Sequence, residues 1–553
     1  MLTPAHLHTY LSPMKYFLLS LFIALGLAGK TQVVSTAFLQ SYSIEEVVGV
    51  MDDLGVPPGF LPANYAVDCY RVIYMTPHPN GTDVEVSGLI CIPAGGGCAF
   101  PLSSYQHGTI ARRIDAPSFG GTEFDLQVLY ASAGYVAVAA DYIGLGTSQG
   151  MHPYVHADSE ATTCRDLLRA ARDLQSALGY LLNDELFIWG YSQGGHATAA
   201  LQRLIETDPS QEFAITGSAP MAGPYDVSGV QAEVITSNNP YPTPGYLPYV
   251  IFSYQSVYGN LYTDINDVFL PEYASILPGL FDGNTSMGTI NNACPDIPNQ
   301  VLQPALLEAF QQDPNHPMRI ALADNDLYDW TPAVPTRLLY CIGDDQVNYM
   351  NSVVAYNAFL DLGSTNVEQM DLGDWDHGFC APFAMFDGYS FFESLREPPF
   401  NPTVTSEVTG VSASGNADGT ITVTVDSPGI WSYSWSHKAN GLSLTGLEEG
   451  QYILTLTAEN GCSVSYLYTI DVQVGVAEST NSTLRAWPVP AGDMLTIEIP
   501  EHMQEAELTI SDLTGRVVMR KHASDHAPLE VTHLPSGQYI LRCGEYALRI
   551  AKS

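Results

Sequence analysis

The feature that most restricts what this chain can fold into is the stretch Leu186-Phe-Ile-Trp189-Gly190-Tyr-Ser192-Gln-Gly194-Gly195-His196. Its four leading apolar residues suit a strand buried on both faces. Beyond it Ala197, Ala200, Leu201, Leu204 and Ile205 fall on one face of a helix. A serine therefore stands at the apex of a turn between strand and helix. A turn that tight brings neighbouring backbone against any Cβ beside the serine, and glycine occupies those positions. The Ser192 hydroxyl then lies at a helix N-terminus, where backbone N–H groups meet negative charge. Apolar strand-like runs alternate with helical patterns from about residue 60 to 396. This alternation is the signature of an α/β domain.

A hydroxyl near its free pKa is a poor nucleophile, so a histidine must take its proton and a carboxylate must hold that histidine in one tautomer. Residues 336–342 read as a strand, followed by Gly343-Asp344-Asp345, a helical pattern over 349–362, a strand over 367–372, and Trp375-Asp-His377-Gly378. His377 and the two aspartates thus follow strand ends, where open α/β sheets place their ligands. An acyl-transfer transition state also needs two preorganised N–H donors. One is expected from the amide of Gln193, the residue after the serine. The other is expected from the His107-Gly108-Thr109 step, at the amide of Thr109, with His107 packing beneath it. Asp141, at the end of a strand over 135–140, is read as shaping a loop. His152 and His156 are read as pocket lining or loop packing, because Pro153 between them prevents a helical metal-binding pair. No metal and no cofactor is expected.

The elbow, together with Asp141-Tyr-Ile-Gly-Leu-Gly146, His152-Pro-Tyr154, Arg165-Asp-Leu-Leu-Arg-Ala-Ala171 and the segment 326–332, resembles the α/β-hydrolases, nearest in pattern to secreted lipases and esterases. The resemblance implies the chain order Ser, acid, His. It also implies an acid three residues before a Val, which selects Asp344, with Asp345 as the alternative. The expected fold is an α/β hydrolase, a mostly parallel sheet with flanking helices and an inserted cap, over residues 31–396. Strands expected at 213–218 and 336–342 bracket that cap, at about 224–330, which is far longer than an ordinary loop. The cap holds nine Tyr, four Phe and one Trp but a single basic residue, Arg319, so it offers no clamp for phosphate or carboxylate. A small-molecule or lipid ester, neutral and partly apolar, is the expected substrate, cleaved by Ser192, His377 and Asp344 through an acyl-enzyme. Two alternatives stand beside it. One is a secreted serine peptidase of the prolyl-oligopeptidase type, a family with a large N-terminal propeller, whereas only about 40 residues here separate the leader from the first strand-like segment. The other is a non-catalytic adhesin on a hydrolase scaffold.

The ends of the chain speak of export. Met14-Lys15-Tyr16 precedes a short apolar run ending Gly26-Leu27-Ala28, which reads as a signal peptide over residues 1–30 with its start at Met14. Nine cysteines leave at least one unpaired, none is spaced CxxC, and no pairing can be read from them. Glu397-Pro-Pro-Phe-Asn-Pro402 ends the α/β pattern and marks a linker. From 404 to 474 the period becomes two, with turns such as Asp418-Gly419 and Asn460-Gly461, so two small all-β sandwich domains are expected to follow the α/β domain. The first, with Trp431-Ser-Tyr-Ser-Trp435, resembles Ig-like adhesin repeats. The second, over 484–553, carries Trp487-Pro-Val-Pro-Ala491, Ile510-Ser-Asp-Leu-Thr-Gly-Arg516 and Leu534-Pro-Ser-Gly-Gln-Tyr-Ile-Leu-Arg542 and resembles a type IX secretion C-terminal sorting domain. That resemblance implies the type IX machinery as a partner and a secreted or cell-surface location in a Gram-negative bacterium. A formal charge of −39 excludes a nucleic-acid partner bound by counterion release.

Overall fold

In the computed structural model, residues 32–472 are described apart from 58–59, 95–97, 398–401, 427–429, 438–440 and 459–461. Of the remainder, 485–487, 494–498, 507–512, 516–522, 528–535, 537–543 and 546–552 are described. The signal peptide read from the sequence lies outside the described residues, as does most of the linker at 397–402.

Nine strands make one sheet: β1 (Val33–Tyr42), β2 (Ala66–Pro77), β3 (Asp83–Ala94), β4 (Ala99–Gln106), β5 (Val136–Ala140), β6 (Leu181–Tyr191), β7 (Gly217–Met221), β8 (Thr336–Tyr340) and β9 (Val367–Asp371). Their order is β1-β2-β3-β5-β4-β6-β7-β8-β9. The first three neighbour pairs are antiparallel and the rest parallel. Helices cover both faces, so the central strands are apolar on both sides. Successive side chains point to opposite faces. Val136, Val138 and Ile188 therefore join one core with Leu167, Leu168 and Leu201, while Ala137, Ala139, Phe187 and Trp189 join another with Val128, Leu129 and Phe392.

Of the flanking helices, α1 (Ile44–Asp53), α2 (Thr122–Ser132), α3 (Ala157–Leu178) and α4 (Gln193–Thr207) precede the cap. The cap between β7 and β8 contains α5 (Ala232–Thr236), α6 (Tyr246–Tyr258), α7 (Pro271–Leu280), α8 (Met287–Asn292), α9 (Pro304–Gln312) and α10 (Pro317–Ala323). After it come α11 (Met350–Asp361) and α12 (His377–Leu395).

Two details differ from the sequence reading. The strand expected at 213–218 begins at Gly217 and runs to Met221, so Phe213 stays outside the sheet. Its Gly-Ser-Ala-Pro-Met sequence is poor strand material, and burial between β6 and β8 overrides that propensity. The sheet also starts earlier than the first strand-like segment, with β1 at its edge and α1 capped by a reciprocal Ser43–Glu46 box. Helix α3 begins at Ala157, where the His156 ring accepts the Ser159 N–H.

Residues 404–470 form two three-stranded antiparallel sheets, with Ile421, Leu444, Leu454 and Leu456 buried. This part is tied to the α/β core by the disulfide Cys98–Cys462. A second disulfide, Cys341–Cys380, joins the end of β8 to α12. The tail is a separate compact unit with one three-stranded and one four-stranded antiparallel sheet. Leu495, Ile497, Leu508, Ile510, Leu541 and Ile550 form its core. Among the described residues no helix is long and apolar enough to cross a membrane.

Candidate active site

Strand β6 delivers Ser192 and α4 begins directly after it. The serine has φ 63° and ψ −123°, a left-handed conformation that strains any residue with a side chain. Its own N–H is bonded to Met221 O at 2.9 Å, which anchors the turn to the end of β7. A Cβ on Gly194 would collide with the carbonyl oxygen of Gln106, and one on Gly195 with that of Met221. The elbow is thus wedged between β4 and β7, and the glycines are a steric requirement.

The loop after β8 and the start of α12 bring a second pair together. His377 Nδ1 lies 2.7 Å from Asp344 Oδ2, with both side chains almost completely buried. The other oxygen of Asp344 accepts the N–H groups of Gln346 at 2.9 Å and Val347 at 2.8 Å. Those bonds fix the orientation of the carboxylate. Asp345 instead accepts the backbone N–H of His377 at 3.2 Å. The two aspartates therefore divide the work, one facing the imidazole and the other its backbone. Tyr191, the neighbour of Ser192, donates its hydroxyl to His377 O at 2.6 Å, and its ring lies 4.8 Å from the imidazole. Sequence reasoning missed this tyrosine, which links the elbow to the histidine.

The loop after β4 also approaches the serine: a Cβ on Gly108 would lie 4.0 Å from Ser192 Cβ. Thr109 follows, its hydroxyl 2.9 Å from that of Tyr154. His107 is fully buried, its ring nitrogens 2.7 Å from Gly108 O and 3.3 Å from Asp141 O, and burial pushes its pKa down to about 4, so one of the two carbonyls receives its single N–H. Asp141 accepts from Ser118 N, Ser118 Oγ and Ser87 Oγ, which ties the end of β5 to β3 and to the segment before α2. His152 donates from Nδ1 to Ile143 O at 2.8 Å, and burial pushes it down to about 3, so it is neutral. Its Nε2 then accepts from Gln193 Nε2 at 2.8 Å. A further group was invisible in the sequence. Glu160 of α3 is buried against Gln193 and His196, at 2.7 and 2.8 Å.

A cleft opens at Ser192 and Gln193. Its other walls include Tyr154, Tyr246, Ile235, Val250, Leu322 and Val347, with no charged side chain among its lining residues. Ile235, Val250 and Leu322 also border a second, apolar cavity inside the cap, where Leu302, Leu306 and Phe310 are among the lining residues. Arg319, the cap's basic residue, stacks on the Phe310 ring at 4.7 Å.

Residues 485–552 match the family model of the secretion system C-terminal sorting domain, and residues 122–209 match that of the prolyl oligopeptidase family. No curated protein matches the chain. Among solved structures it is similar to a candidate hydrolase of Legionella pneumophila, with 28% identity over 67% of this chain and 100% of that one, at a TM-score of 0.62. It is also similar to the rice cell wall degrading esterase LipA from Xanthomonas oryzae, with 30% identity over 66% of this chain and 99% of that one, at a TM-score of 0.58. Candida antarctica lipase A in its closed state shares the fold at 15% identity, covering 66% of this chain and 81% of that one at a TM-score of 0.51.

Proposed function

Because the chain belongs to the α/β-hydrolase family of the rice cell wall degrading esterase LipA, we propose that it is a serine esterase that cleaves neutral, partly apolar carboxylic esters. The observation that carries this reading is the 2.7 Å bond between His377 Nδ1 and Asp344, in a chain that also strains Ser192 into an elbow. In the proposed reaction Ser192 Oγ attacks the ester carbonyl while His377 Nε2 takes its proton. Asp344 holds the Nδ1–H and stabilises the imidazolium that results. The amides of Gln193 and Thr109 receive the developing oxyanion. Collapse expels the alcohol, protonated by His377, and leaves an acyl-enzyme. Water activated by the same histidine then releases the acid.

The uncharged cleft favours an ester without a charge near the scissile bond. The apolar cavity beyond Ile235, Val250 and Leu322 gives room for an acyl chain, each buried methylene contributing about 0.8 kcal/mol. The sorting domain supports delivery by type IX secretion to the surface or surroundings of a Gram-negative bacterium.

The test is hydrolysis of p-nitrophenyl esters from acetate to decanoate by the purified chain. Turnover that persists or rises beyond butyrate is the expected result. The match of residues 122–209 to the prolyl oligopeptidase family supports a second reading, a peptidase. Cleavage of peptides after proline, with none of the esters turned over, would replace the first reading with the second.

A further inference from the structure

We propose that Glu160 is a positioning residue for the oxyanion hole, acting through Gln193; the inference rests on the esterase reading above. A carboxylate on the first turn of α3 with no exposed side-chain surface is costly unless every oxygen is satisfied. Glu160 meets that demand by gripping the elbow helix. Its Oε1 accepts from Gln193 Nε2 at 2.7 Å and from Val155 N at 3.2 Å, and its Oε2 faces His196 Nδ1 at 2.8 Å. The other ring nitrogen of His196 lies 3.0 Å from Asn325 O. The imidazole is thereby held between α3 and the Asn325 carbonyl.

Gln193 is pinned as a result. One Nε2 proton goes to Glu160 and the other to His152 Nε2, which is an acceptor because His152 Nδ1–H is spent on Ile143 O. The orientation of the amide is therefore forced, since its oxygen in that place would face a carboxylate and a lone pair. The backbone N–H of this same residue is the proposed oxyanion donor. Such a donor works only when held about 2.7–3.1 Å from where the oxyanion forms. A side chain clamped from α3 and from the loop carrying His152 resists rotation of the Gln193 peptide as charge develops.

The experiment compares kcat and KM of the full chain with those of Glu160→Gln, Glu160→Ala, Gln193→Ala and the double variant Glu160→Ala/Gln193→Ala. Each kcat is divided by the fraction of sites titrated with a fluorophosphonate. Glu160→Ala and Gln193→Ala should each lower kcat about 10- to 100-fold with KM within about threefold, as expected for a loosened transition-state donor. Glu160→Gln, which can still accept from Gln193 and donate to His196, should stay within about threefold of wild type. The double variant should be no worse than either single one, because both act on one donor. An unchanged kcat per titrated site in Gln193→Ala overturns the proposal even if Glu160→Ala cannot be purified. Losses that multiply in the double variant overturn it as well. Absence of ester turnover and of fluorophosphonate labelling in the wild type would sink the esterase reading itself, an outcome distinct from both.

Discussion

At the carboxyl edge of the sheet, Ser192, Asp344 and His377 are held by backbone strain and hydrogen bonds, whereas the cap meets the same cleft with apolar side chains such as Ile235, Val250 and Leu322. At the edge the Asp344 carboxylate, the His377 ring and the Ser192 backbone are each fixed by short contacts or a tight turn. The cap is shaped by packing, which tolerates substitution so long as volume is kept. Rate should therefore depend on the edge and substrate choice on the cap, so that variants in the two regions separate kcat from selectivity.

The largest effect belongs to the edge. Ser192→Ala should lower kcat by about 10⁵- to 10⁶-fold, the scale set by loss of a serine nucleophile, with the fold intact by circular dichroism. Retention of more than a hundredth of the wild-type rate would remove the edge from the chemistry. Next in size is Asp344→Asn, expected to cost about 10⁴-fold in kcat because the imidazole loses the acceptor that fixes its tautomer. Asp345→Asn, which touches only the backbone N–H of His377, should cost less than about tenfold. Reversal of that pair would move the acid by one residue.

The elbow could be read from the chain because its signal is local: sterics at Gly190 and Gly194 act within a few residues of Ser192. The choice of Asp344 over Asp345 came from a family resemblance, and its bonds to Gln346 and Val347 lie within the same short register. The role of Glu160 was not, since it is made by contacts spanning 33 and 36 residues between two helices. The cysteine pair 98–462, separated by 364 positions, was equally hidden. Strand β7 was misplaced because its Gly, Ala and Pro owe their extended conformation to the neighbours β6 and β8.

The cap side of the comparison is sharpened by narrowing the passage between the two cavities. Leu322→Trp or Ile235→Trp, at residues shared by both walls, should exclude the far end of a long acyl chain. Loss of four buried methylenes removes about 3 kcal/mol of binding. The kcat/KM for decanoate should then fall relative to that for acetate by about 100-fold. An unchanged ratio, in variants that melt normally, would mean that acyl chains do not enter the inner cavity.

The smallest effect concerns acid stability. His107 and His152 lie beneath the edge, and burial pushes them down to about 4 and about 3. Above pH 6.5 neither the folded nor the unfolded state protonates them. As the pH falls below 6.5 the unfolded chain takes up these protons while the folded one does not, so each histidine lowers stability by about 1.4 kcal/mol per pH unit until its folded value is reached. Unfolding free energies from urea titrations between pH 6 and pH 4.5 should thus fall less steeply, by about that amount, in His107→Gln and in His152→Gln. His316 of the cap is only half-buried and solvent screens it, so His316→Gln should leave the slope nearly as it is in the wild type. Equal slopes in all three variants would show that the edge is no drier than the cap, and would undo the contrast between a rigid polar seam and an adaptable apolar cover.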